Sequence, residues 1–197
     1  MMSMKEGLWE PIYDEPELMG SHVLIVGVGS IGKTLAKRLK AFDVTITGYR
    51  RSPKNEINFD HIITSNEALE KALTSADYVI LALPLNQHTK GFFDKRKFDL
   101  MKRSALLINV ARGQVIVQED LIQALLNKEI RGAGLDVVYP EPLPKDHILW
   151  SLENVYITPH NASSSPYTQQ RIYQMVKSNL ERYIRNEPVH FQITSNE

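Results

Sequence analysis

The strongest constraint on this chain is a short apolar run joined to a glycine-rich turn, His22-Val-Leu-Ile-Val-Gly27-Val28-Gly29-Ser30-Ile31-Gly32. A run without polar alternation suits a strand buried on both faces. Ile31, Leu35, Ala36 and Leu39 follow at helical spacing, while Lys33, Lys37, Arg38 and Lys40 take the opposite face. Three glycines at this spacing are weak evidence alone, because such triplets occur by chance in loops. Placed directly after a buried strand and at the opening of a helix, they acquire a mechanism. Gly27 permits the tight turn, Gly29 lets backbone approach a pyrophosphate, and Gly32 lets helix and strand pack closely. Ser30 and Ile31 fall where free helix N–H groups meet phosphate oxygens. The turn implies a dinucleotide site.

The same alternation continues down the chain. Val44 to Gly48 reads as a strand rich in β-branched residues. Ser65 to Ser75 reads as a helix with Ser65 as its N-cap. Strands are expected at Tyr78 to Leu83, Ala105 to Val110, Gly132 to Val137 and Val155 to Thr158. Helices are expected at Asp94 to Met101, Gln118 to Lys128 and about Tyr167 to Arg185. Strands and helices in this rhythm form parallel βαβ units. The expected fold is α/β, a doubly wound parallel sheet of Rossmann type in a single domain. Residues 1–20, broken by Pro11 and Pro16, read as an extended lead-in; 21–186 form the domain and 187–197 a tail.

Cofactor choice is read about 20 residues beyond the turn, where an acidic side chain binds the ribose of NAD. Here stand Tyr49, Arg50, Arg51 and Ser52, with no carboxylate among them. Guanidinium forks match phosphate oxygens, so NADP(H) is preferred and NAD(H) is possible. Lys+Arg and Asp+Glu each total 23, so no net field draws the chain to nucleic acid or an anionic membrane. There are no cysteines, which removes disulfides and thiolate metal sites together. His22, His61, His88, His147 and His190 lack metal-ligand spacing, and no metal is assigned. The charged first twenty residues hold no signal-peptide core, so a cytoplasmic location is expected.

Four further motifs lie in order, each at a strand end. They are Asp77 to Leu85 with His88-Thr89, Leu107-Ile-Asn-Val-Ala-Arg-Gly113, Gly134-Leu-Asp-Val-Val-Tyr-Pro-Glu-Pro142 and Thr158-Pro-His160. Together with the glycine turn they resemble the nucleotide-binding domain of the D-isomer-specific 2-hydroxyacid dehydrogenases, from about Leu18 to Ile193. The resemblance implies that Leu83, Pro84, Thr89, Val110 and Ala111 line the cofactor. It implies that Asp136 lies near the nicotinamide carboxamide. It assigns Arg112 to the substrate carboxylate and carbonyl, His160 to acid/base work and Glu141 to pairing with His160. Arg112 and His160 also border the cofactor in this picture.

That assignment suits the chemistry of reducing a small 2-oxo acid to a 2-hydroxy acid. Negative charge builds on the carbonyl oxygen, so a positioned proton donor is needed. Histidine gives and takes a proton near neutrality, and a neighbouring carboxylate keeps it loaded. An arginine fork anchors the carboxylate and polarises the carbonyl.

One departure stands out. The family builds a second, closing domain mostly from a long segment before the nucleotide domain, and this sequence has about twenty residues there. The segment Glu187 to Ile193 resembles the tail that crosses back into that domain. Closure excludes water and completes the substrate site, so weak or absent turnover is expected of this chain alone. Two readings stand: a dehydrogenase, or an NADP(H)-binding module with little turnover. The resemblance also implies a homodimer. Leu8, Trp9, Ile12 and Tyr13 would suit a partner groove, and would equally suit the chain's own domain.

Overall fold

The computed structural model describes Gly7 and residues 16–192. The apolar residues expected to mediate a dimer, Leu8, Trp9, Ile12 and Tyr13, lie outside the described residues. The described chain falls into two compact units, divided between Pro159 and His160.

The first unit holds a seven-stranded sheet. Its strands are β1 (His22–Val26), β2 (Thr45–Tyr49), β3 (His61–Ile63), β4 (Tyr78–Leu81), β5 (Leu106–Asn109), β6 (Gly132–Leu135) and β7 (Val155–Ile157). Its helices are α1 (Ser30–Leu39), α2 (Asn66–Leu73), α3 (Lys95–Leu100) and α4 (Gln118–Leu126). The strand order is β3-β2-β1-β4-β5-β6-β7, and every neighbouring pair is parallel. The chain thus runs outward from β1 to β3, then returns to the far side of β1 to lay down β4. That reversal opens a crevice beyond the carboxyl ends of β1 and β4, where doubly wound folds take their ligands.

Strand residues feed two apolar layers, one on each face of the sheet. Leu24, Val26, Val79, Leu81, Leu107 and Leu135 pack on one face with Leu69 and Leu73 of α2, Phe98 of α3 and Leu121 and Leu125 of α4. Val23, Ile25, Ile46 and Ile80 pack on the other with Ala36 of α1. β1 is buried on both faces because it lies inside the sheet, between β2 and β4, as its unbroken apolar run requires. Ser65 caps α2 by accepting from the Ala68 N–H at 3.2 Å, and Asp94 caps α3 by accepting from Lys97.

The differences from expectation are short. β3 has only His61, Ile62 and Ile63, too few residues to show a period of two. β4 ends at Leu81 rather than Leu83, and β6 at Leu135 rather than Val137. In both places the apolar run continues into the core after the ladder stops: Leu83 and Val137 remain buried.

The second unit contains α5 (Thr168–Ile184), which has no buried residue. Its tail folds back on the helix end. Asn179 pairs with the backbone of His190 in both directions, at 3.0 and 2.8 Å, and Arg182 Nε donates to the Pro188 carbonyl.

Candidate functional site

The turn after β1 is shaped by steric necessity. Gly27 has φ 111°, a conformation that side chains rarely adopt, and a Cβ there would lie 2.6 Å from the Ala82 carbonyl at the end of β4. Gly32 is equally confined, because its Cβ would meet the Gly27 carbonyl oxygen at the start of α1. Gly29 is different. A Cβ on it would meet nothing within 4 Å, so the N-terminus of α1 stands open above this residue. No side chain caps that end, and no acidic residue occupies its first turn. Free N–H groups and the positive end of the helix dipole therefore face outward, as an anion such as a pyrophosphate requires.

A cleft of about 430 Å³ begins there. It is lined by Gly29, Ser30 and Ile31 from the turn, Ala82 to Leu85 after β4, and Val110, Ala111 and Arg112 after β5. Seven of the expected cofactor residues are thus brought to one crevice with Arg112: Gly29, Ser30, Ile31, Leu83, Pro84, Val110 and Ala111. Thr89 is not among the residues lining this cleft but braces the loop that does. Its hydroxyl donates to the Pro84 carbonyl at 2.6 Å and accepts from the Asn86 N–H at 2.8 Å, which closes the loop after β4.

Arg112 is held by its backbone. Asn109, completely buried at the end of β5, donates from Nδ2 to the Arg112 carbonyl at 3.1 Å. The Asn109 Oδ1 accepts from the Ala111 N–H at 3.0 Å. One buried amide thereby sets the turn that presents Arg112 to solvent, while Arg112 Nη1 donates to the Ala111 carbonyl at 2.7 Å. The next residue, Gly113, touches the glutamate loop so closely that a Cβ would lie 2.0 Å from the Val138 carbonyl oxygen. Gln118 ties the same loop from the start of α4, bonding the Tyr139 N–H at 2.9 Å and its carbonyl at 2.5 Å. Glu141 itself is exposed, and its Oε1 accepts from the Val138 N–H at 3.1 Å. The arginine turn and the glutamate loop are therefore packed together. Sequence reasoning places Asn109 within the arginine motif without giving it a role and does not single out Gln118, since what each ties is set only once the loops are placed.

Asp136 is buried at the end of β6, where its Oδ1 accepts from the Thr158 hydroxyl at 2.5 Å. His160 opens the second unit; it is exposed, with φ 51° in the left-handed region.

A carboxylate from beyond Tyr49 to Ser52 also stands at the end of β2. Glu56, four residues past Ser52, accepts from Arg50 Nη1 at 2.8 Å and pairs with Lys33 of α1 at 2.7 Å. Lys33 first, and Arg50 with it, hold this carboxyl below its usual range against the opposing effect of burial. Arg51 and Ser52 are exposed, and among the described residues Arg51 has no ion-pair partner. Tyr49 points elsewhere: its hydroxyl donates to Asn66 at 3.0 Å, and its ring stacks on Phe92. Among the described residues, no group of three or more His, Asp or Glu side chains could hold a metal ion, and no helix is long and apolar enough to cross a membrane.

A parallel sheet of this order, with a glycine-built helix N-terminus open at its switch point, defines a dinucleotide-binding α/β domain of Rossmann type. The chain belongs to the D-isomer specific 2-hydroxyacid dehydrogenase family, whose NAD binding domain matches residues 1–162. It is 37% identical over 193 residues to a glyoxylate reductase of Korarchaeum cryptofilum, covering 93% of this chain and 57% of that one. It is 37% identical over 185 residues to the human glyoxylate reductase/hydroxypyruvate reductase, covering 92% and 56%. Among solved structures, an NADPH-dependent glyoxylate/hydroxypyruvate reductase from Sinorhizobium meliloti, in complex with NADP and sulfate, superposes with a TM-score of 0.88. The two are 27% identical, and the match covers 98% of this chain and 61% of that one. The chain spans little more than half the length of the curated relatives it matches.

Proposed function

We propose that the chain carries the cofactor-binding half of a reductase acting between NADP(H) and a small 2-oxo or 2-hydroxy acid. The observation that carries this reading is the shared cleft, in which Arg112 lines the same crevice as the open N-terminus of α1. The residues present fit a nicotinamide dinucleotide: Gly29, Ser30 and Ile31 would hold the pyrophosphate, and Leu83, Pro84, Val110 and Ala111 the nicotinamide side. When bound, that cofactor supplies or accepts the hydride. NADP(H) is favoured by the arginines after β2, and two superposable family members hold NADPH or NADP, one from Xanthobacter autotrophicus and one from Sinorhizobium meliloti.

The residue roles rest on chemistry and on the motif resemblance. Arg112 binds the substrate carboxylate and polarises its carbonyl. His160 donates a proton to the carbonyl oxygen in reduction and removes it in oxidation. Glu141 pairs with the imidazole and stabilises its charged form. Asp136 borders the nicotinamide carboxamide. Residues 21–186 form the cofactor domain and 187–197 its tail. A homodimer and a cytoplasmic setting belong to the same proposal.

A second reading is an NADP(H)-binding module with little turnover of its own, for which the cofactor-facing lining of the cleft would suffice. NADPH consumption with glyoxylate or hydroxypyruvate separates the two. Turnover that falls by about 10²–10⁴ in His160→Ala supports the reductase. Saturable NADPH binding without turnover, unchanged in His160→Ala, supports the module.

A further inference from the structure

Three charged side chains from separate segments meet at the end of β2. Lys33 comes from α1, one residue beyond Gly32; Arg50 follows β2 directly; Glu56 comes from the loop between β2 and β3. The loop ends in firm anchors. Phe59 packs against Gly48 so closely that a Cβ on this glycine would lie 2.7 Å from its ring. Asp60 accepts from the Ile46 N–H at 2.7 Å and pairs with Lys40 at 2.6 Å. Between Arg50 and these anchors, the chain turns the Glu56 side chain inward until it is only 11% exposed, while Arg51, Ser52, Pro53, Lys54 and Asn55 remain exposed. A carboxylate so placed, with a cation on each side at hydrogen-bond distance, is in the surroundings that a bound phosphate group would require.

We propose that Glu56 is a cofactor-selectivity residue, a built-in anion that competes with the 2′-phosphate of NADP(H) for Lys33 and Arg50. The proposal rests on the reading of this cleft as a nicotinamide dinucleotide site. Arg50 alone matches a 2′-phosphate; Arg50 and Lys33 already neutralised by Glu56 present a single net positive charge rather than two. Binding of the phosphate then requires Glu56 to give up its contacts or to remain beside a second anion, and either outcome weakens the phosphate's attraction. A ribose bearing a free 2′-hydroxyl meets no such repulsion. Glu56 therefore narrows the preference for NADP(H) that Arg50 and Arg51 create, and leaves NAD(H) usable.

The test isolates the 2′-phosphate. Calorimetric titrations of 2′,5′-ADP and of 5′-ADP into the full chain compare wild type with Glu56→Gln and Glu56→Ala, with Glu119→Gln on α4 as a control for net charge. Two Glu56 variants guard against one that disturbs the loop, and circular dichroism checks that each is folded. Both Glu56 variants are expected to bind 2′,5′-ADP about fivefold or more tightly than wild type, with 5′-ADP and the control changing by less than about twofold. An unchanged or weakened affinity for 2′,5′-ADP overturns the proposal, as does an equal gain for 5′-ADP or in Glu119→Gln. A loss of 5′-ADP or NADH affinity alone also overturns it, since Glu56 would then be reading the ribose hydroxyls. Those results leave the cofactor site intact. Failure of every nucleotide to bind wild type and variants alike overturns the cofactor reading together with the proposal.

Discussion

The turn at Gly27 to Gly32 and the loop at Arg50 to Asp60 flank the same strand ends, yet they are built by different physics. The turn is made of backbone. Gly27 and Gly32 are dictated by contacts with Ala82 and with the turn itself, and the surface they leave consists of N–H groups and open space above Gly29. The loop is made of side-chain charges: Lys33, Arg50 and Glu56 in one cluster, Lys40 and Asp60 in the other. Backbone geometry of the first kind serves any dinucleotide, because every one carries a pyrophosphate. Charges of the second kind lie on side chains that differ from one sequence to another, which makes the loop the place where the proposed selectivity would be set.

The largest expected effect breaks the turn. Gly27→Ala combines a strained backbone with a Cβ placed against the Ala82 carbonyl, and it should destabilise the chain by roughly 2–5 kcal/mol. Thermal melts would show it as a large fall in Tm; an unchanged Tm would mean that the turn can relax and is not sterically dictated.

Next comes the amide that sets the arginine turn. Asn109→Ala leaves the Ala111 N–H without its side-chain acceptor and the Arg112 carbonyl without its side-chain donor. The expected cost is about 1–3 kcal/mol, measured by urea unfolding. Any NADPH turnover should fall with it, because Arg112 loses its placement.

The smallest effect lies in the loop. Asp60 is held below the usual carboxylate range, first by the Ile46 N–H and then by Lys40. A depressed folded pKa stabilises above the unfolded value, and that contribution disappears as pH falls through the folded one. Because Asp60 and Lys40 are both about one-third exposed, solvent screening keeps the contribution well under about 1 kcal/mol. Asp60→Asn should flatten the acid limb of a stability-against-pH curve slightly while leaving the neutral plateau nearly in place.

These two regions also differ in how much the sequence disclosed. Apolar runs between turn residues located six of the seven strands, and Ser65 and Asp94 marked two helix starts, because burial and capping leave local patterns. β3 left none, being three residues long. The glycine turn was legible for the same local reason. Glu56 was not: its role depends on a loop that folds back to β2, and nothing in the spacing of Arg50 and Glu56 specifies that fold. Asn109 and Gln118 were hidden likewise, since each acts on a loop whose position only the packed sheet supplies. Motifs were visible, and the contacts that hold them in place were not, even where, as with Asn109, the residue making them lies inside the motif.

The central claim, that α1 presents its open N-terminus to a cofactor pyrophosphate, is tested most directly at Gly29. Its φ of −87° and ψ of −163° suit an N-cap residue, aspartate is a favoured N-cap, and a Cβ here meets nothing. Gly29→Asp should therefore leave stability within about 0.5 kcal/mol of wild type. Its negative charge would nevertheless face the pyrophosphate, and NADPH binding followed by cofactor fluorescence should weaken by at least about tenfold. Equal NADPH binding by wild type and by a stably folded Gly29→Asp would contradict the account.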